Sequence, residues 1–60
     1  MILYLVEYQI GSDRREFYVL RNTAQEAIDV ADGQARKDAE DYVEPELRFI
    51  SCAFVTDEIL

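Results

Sequence analysis

Histidine and tryptophan are absent from the 60 residues, and cysteine and proline occur once each. A lone Cys52 forms no internal disulfide, and without histidine there are too few soft ligands for a structural zinc site. Nucleophilic catalysis lacks its usual base, and a cysteine in an apolar strand is inert. The chain is therefore expected not to be an enzyme and to need no cofactor or metal, and the reducing cytoplasm is its expected compartment. Basic residues are also scarce, with 6 Lys and Arg against 13 Asp and Glu for a formal charge of −7. Direct nucleic-acid binding is not expected, since it needs clustered cations to meet the phosphates. Long apolar runs are missing too. The opening Met1-Ile2-Leu3-Tyr4-Leu5-Val6 ends at Glu7 with no basic residue before it, unlike a signal peptide and far short of the roughly 20 residues of a membrane span.

Half the residues are apolar and 12% are aromatic, too hydrophobic for an acidic disordered tail. The expectation is one small domain over residues 1–60, with a core so limited that close helix packing or a partner must add stability.

Residues 2–10, Ile-Leu-Tyr-Leu-Val-Glu-Tyr-Gln-Ile, read as a strand closed by the turn Gly11-Ser12-Asp13. A second strand is expected from about Arg15 to Arg21. With a loop of about four residues, Tyr8 faces Phe17 and Val6 faces Val19. Thr23 and Glu26 then form a capping box, in which the hydroxyl accepts from the amide of residue 26 and the carboxylate reaches back to the Thr23 amide. In the helix that follows, Ala24, Ala27, Ile28, Ala31, Ala35, Ala39 and Tyr42 fall on one side. That stripe of small side chains brings the helix close to the sheet, whose Tyr4, Val6, Tyr8, Phe17 and Val19 supply the bulk. Gly33 falls on the solvent side as a candidate kink or a break into two shorter helices. Asp32 with Arg36 and Lys37 with Asp41 have ion-pair spacing, and Pro45 closes the region.

Leu47 to Thr56 is apolar on both sides and reads as a third strand, with Ile50, Cys52 and Phe54 on one face and Leu47, Phe49, Ala53 and Val55 on the other. A right-handed crossover makes it parallel to the second strand, and the most apolar strand, the first, belongs between them. The expected fold is α+β: ββαβ, a three-stranded antiparallel sheet in the order 2-1-3 with one helix on one face.

Two surfaces stand out. The sheet face away from the helix carries Leu3, Leu5, Tyr18 and Leu20, with Leu47, Phe49 and Val55 from the third strand. Such a patch covers about a few hundred Å², a size that marks interfaces, and a homodimer is its simplest use. Strand addition at a sheet edge is a second route. The alternative is self-coverage, with the sheet curling so that the N-terminal leucines pack on Ile59 and Leu60. The other surface is the acidic run around the helix end: Asp38, Glu40, Asp41, Glu44 and Glu46. Carboxylates oppose the macrodipole there, which points to a use beyond stability: binding the basic surface of a host protein or nucleoprotein by imitating phosphates. A solvated, solubilising face is the alternative.

The strand pair leading into Thr23-Ala24-Gln25-Glu26-Ala27, with Ala31 one turn on, resembles small proteins of bacteriophages and mobile elements, including the DpnD/PcfM-like group. Size, acidity and want of catalytic groups also resemble phage-encoded inhibitors of host defence, among them anti-CRISPR proteins. The resemblance implies action by occupying a surface on a larger host protein, without turnover, and carries over no functional residue.

Overall fold

Strand β1 (Ile2–Ile10) alternates so that Val6, Tyr8 and Ile10 are buried. It turns through Gly11 and Ser12 into β2 (Asp13–Arg21), with Ile10 paired to Asp13. The computed structural model describes residues 1–42 and 46–58. Gly11 has φ 60, the left-handed value that two-residue hairpin turns take from glycine at little steric cost. The tight turn corrects the expected register. Tyr8 faces Arg15, Val6 faces Phe17 and Tyr4 faces Val19. The slip is two residues, so every side chain keeps its expected face.

Helix α1 (Ala24–Ala39) starts at Thr23, whose Oγ1 accepts from the Glu26 amide at 3.2 Å. The reciprocal half of the box differs from the expectation: the hydroxyl donates to the Glu26 carboxylate at 3.0 Å. Ala27, Ala31, Ala35 and Ala39 are buried against the sheet, whereas Ala24 at the first turn is exposed. The helix runs unbroken through Gly33, so it does not split into two shorter helices there. Arg36 Nε donates to Asp32 at 2.7 Å. Among the described residues Lys37 and Asp41 do not pair, because Asp41 lies in the turn past the helix end. Closure by Pro45 and packing of Ile59 and Leu60 fall outside the described residues.

Strand β3 (Leu47–Thr56) pairs antiparallel with β1, giving the sheet order β2-β1-β3. The fold is the expected α+β, ββαβ arrangement. The register of β3 jumps twice: Glu7 pairs with Ser51 while Tyr8 pairs with Phe49, and Leu3 pairs with Thr56 while Tyr4 pairs with Phe54. Ile50 and Val55 are the extra residues of two bulges, each of which breaks the two-residue alternation. This corrects the placement of Leu47 and Phe49 on the open face. Past the first bulge they lie across from Ile10 and Tyr8 on the helix side, where the Phe49 ring meets the Tyr8 ring edge-on with centroids 5.5 Å apart. The helix packs more on β1 and β2 than on β3, which leaves Phe49 46% and Phe54 60% exposed. Among the described residues no helix is long and apolar enough to cross a membrane.

Candidate interaction surfaces

Past Ala39 the chain tightens into one more turn. The amides of Glu40, Asp41 and Tyr42 donate to the carbonyls of Lys37, Asp38 and Ala39 at 3.3, 3.2 and 3.0 Å, satisfying groups that a helix end otherwise leaves to water. Glu40 and Asp41 are exposed and Asp38 is half-buried. Tyr42 holds the turn down. Arg15 donates to its hydroxyl at 2.7 Å, the hydroxyl donates to Asp13 Oδ2 at 2.9 Å, and the guanidinium lies 5.9 Å from the ring centroid. The bond to Asp13, aided by burial, pushes the Tyr42 phenol above its ordinary pKa. Beyond residues 43–45 the run resumes at exposed Glu46, whose carbonyl accepts from the Gly11 amide at 2.9 Å. The acidic segment is thus anchored on β2 at one end and on the hairpin turn at the other. Glu44 lies outside the described residues. The sequence reading placed Tyr42 in the apolar stripe and missed this clamp. Its signal was the polar tip that a tyrosine carries beyond its ring.

A shallow cleft of about 260 Å³, lined by Arg36, Ala39, Glu40 and Leu47, separates the helix end from the start of β3. It falls below the range of about 300 to 1,000 Å³ for small-molecule sites. Cys52 is half-buried, and no group of three or more His, Cys, Asp or Glu among the described residues is placed to hold a metal ion.

The open sheet face is ordered in rows across the strands. Arg14, Gln9 and Arg48 form the row next to the turn, followed by Glu16, Glu7 and Ser51. Tyr18, Leu5 and Ala53 come next, and Leu20, Leu3 and Thr56 last. Leu3, Leu5, Tyr18 and Leu20 are therefore brought together as expected, with Tyr18 67% exposed and Leu20 38%. Val55 stands apart as a bulge residue, 44% exposed and with no residue paired across from it. The apolar patch covers only half the face. Arg14 approaches Glu7 at 3.5 Å, an exposed pair of little energetic weight.

Charge is segregated between the two layers. Residues 24–42, the helix and its turn, hold six carboxylates against Arg36 and Lys37, whereas the three strands hold three carboxylates against four arginines. The helix with its turn, the segment after it and Asp57-Glu58 carry the negative charge, and the sheet is close to neutral. Comparison with protein-family models, with curated proteins and with solved structures returns no match for this chain, so the surfaces are read from their own chemistry.

Proposed function

We propose that this chain is a small acidic protein-binding module of the phage or mobile-element kind, which inhibits or modulates a larger host protein by covering one of its basic surfaces. The observation that supports it is the segregation of charge, which puts Asp38, Glu40, Asp41 and Glu46 around a turn held at both ends. Carboxylates gathered on a segment whose backbone is anchored steer a cationic partner at long range. A groove that ordinarily receives phosphates is a fitting target. A second reading, a homodimeric accessory module whose acidic face only keeps it soluble, draws on the exposure of Tyr18 and Leu20.

The test begins with a tagged pull-down from host lysate to identify the partner, followed by association kinetics of the variant Asp38→Asn, Glu40→Gln, Asp41→Asn, Glu46→Gln. The association rate should drop and lose much of its salt dependence, because steering acts over a screening length of about 8 to 10 Å. A rate unchanged at both low and high salt would leave the carboxylates as a solubilising face and promote the second reading.

A further inference from the structure

The geometry points to β2 as the site where a second copy of this chain adds to the sheet, antiparallel and across a two-fold axis at Phe17, to form one continuous six-stranded sheet.

The two sheet edges are unlike. On β3, two bulges break the ladder and twist the edge away, a device that discourages pairing. β2 runs nine residues with no register shift against β1. In a two-residue hairpin the pair flanking the turn, Ile10 and Asp13, is hydrogen-bonded, and such pairs alternate from there. The amides and carbonyls of Arg14, Glu16, Tyr18 and Leu20 therefore point away from β1. Among the described residues none of them meets another backbone group. The Leu20 carbonyl accepts from the guanidinium of Arg21 at 2.7 Å, a contact one side-chain rotation releases.

Hydrogen bonding allows only registers that set these outward residues against one another, and the charges choose among them. Centred on Phe17, Arg14 meets Leu20 and Glu16 meets Tyr18 of the second copy, while Asp13 meets Arg21 at both ends. Among the described residues Asp13 gives only Oδ2, to Tyr42, which leaves Oδ1 for that arginine. A shift of two residues one way puts Glu16 against Glu16, and the other way puts Arg15 against Arg21. Like charges directly opposite oppose pairing. Of these three registers, which keep most of the strand paired, only the one centred on Phe17 avoids like charges. Asp13 and Glu16 against Arg14, Arg15 and Arg21 make the strand slightly basic, in contrast to the acidic helix turn. This reading is independent of the basic partner, since it does not use the carboxylates of Asp38, Glu40, Asp41 or Glu46.

An edge of nine residues buries less than the roughly 800 Å² per partner of a stable interface, so the association is expected to be weak and concentration-dependent. In sedimentation equilibrium over about 10 μM to 1 mM, the mass should climb from the 7.0 kDa of one chain towards twice that value. Glu16→Pro removes an outward amide that no bond among the described residues uses, and Pro is tolerated on an edge. It should stay monomeric with an unchanged circular dichroism spectrum. Register is read by disulfide trapping in a Cys52→Ser background. Phe17→Cys should cross-link under air oxidation, because paired residues of that type lie about 4.5 Å apart at Cα, within disulfide range. Arg15→Cys should not, as the two thiols would sit four residues out of register. A wild type that remains monomeric at about 1 mM, or cross-linking at Arg15→Cys equal to that at Phe17→Cys, overturns the proposal. So does a folded Glu16→Pro variant that dimerises like the wild type.

Discussion

The Tyr8 hydroxyl donates to Asp32 Oδ1 at 3.3 Å while Asp32 Oδ2 takes Arg36 at 2.7 Å, so a single carboxylate ties the middle strand to the helix. Tyr8 is 3% exposed, and its ring meets both Phe17 and Phe49 edge-on. A buried phenol needs an acceptor, and Asp32, one helical turn before Arg36, supplies it at the rim of the core.

Tyr8→Phe removes that bond without leaving Asp32 alone, since Arg36 remains. The expected loss is about 0.5 to 1.5 kcal/mol, seen as a fall in Tm of about 4 to 8 °C per kcal/mol for a domain of this size. The pH dependence has a definite sign. Burial, then the charge and hydrogen bond of Asp32, push the Tyr8 phenol upward, so the fold favours the protonated form. That contribution is whole below the ordinary tyrosine pKa of about 10 and is lost as pH rises through the raised value. Tyr42, raised by its bond to Asp13, acts in the same sense. Thermal unfolding at about pH 8 and about pH 11 should therefore show a smaller alkaline loss in Tyr8→Phe than in the wild type. Equal losses would dismiss the phenol as a source of the dependence.

The two glycines should respond oppositely to alanine. At Gly11, φ 60 makes any side chain strained, and Gly11→Ala is expected to cost about 1 to 2 kcal/mol. Its amide also holds the Glu46 carbonyl, so the start of β3 loosens with the turn. At Gly33 a Cβ meets nothing within 4 Å, and Gly33→Ala should stabilise by up to about 1 kcal/mol. Denaturant midpoints of the two variants decide it.

The topology was legible because each element carries its own signal: the apolar run of β1, the Thr23 cap and the alanine stripe. The charge run Asp38 to Glu46 was legible as composition, although not its anchoring. What escaped depends on contacts between elements. Bulges at Ile50 and Val55 leave no mark in a strand that is apolar on both faces, since a one-residue slip there exchanges one hydrophobic side chain for another. Phe49 was therefore placed on the wrong face. The two-residue turn escaped because Gly11-Ser12-Asp13 suits loops of several lengths. The Tyr42 clamp joins residues 27 and 29 positions apart, beyond any local pattern.

The alanine stripe sets how near the helix lies to the sheet. Ala31 and Ala35 have no exposed surface, so added methylenes have nowhere to go. Ala31→Leu or Ala35→Leu should destabilise by about 1 to 3 kcal/mol. Ala24→Leu, at the exposed first turn, should be close to neutral. Urea unfolding in which all three behave alike would show that the helix does not seat on those alanines.

The bulge at Ile50 yields a prediction that opposes the sequence reading of Phe49. On the open face, Phe49→Ser would relieve an exposed patch at little cost to the fold. On the helix side it removes the ring that covers Tyr8, itself the residue that links sheet to helix. Because Phe49 is 46% exposed, the expected loss is about 1 to 2 kcal/mol, below the 3 to 5 kcal/mol typical of a fully buried phenylalanine cut to alanine. Tyr18→Ser, at a side chain 67% exposed on the true open face, should change stability by no more than about 0.5 kcal/mol. Near-ultraviolet circular dichroism adds a second readout, since loss of the Phe49 ring alters the surroundings of the Tyr8 chromophore. If Phe49→Ser proves as silent as Tyr18→Ser by both measures, β3 runs without its first bulge and Phe49 returns to the open face.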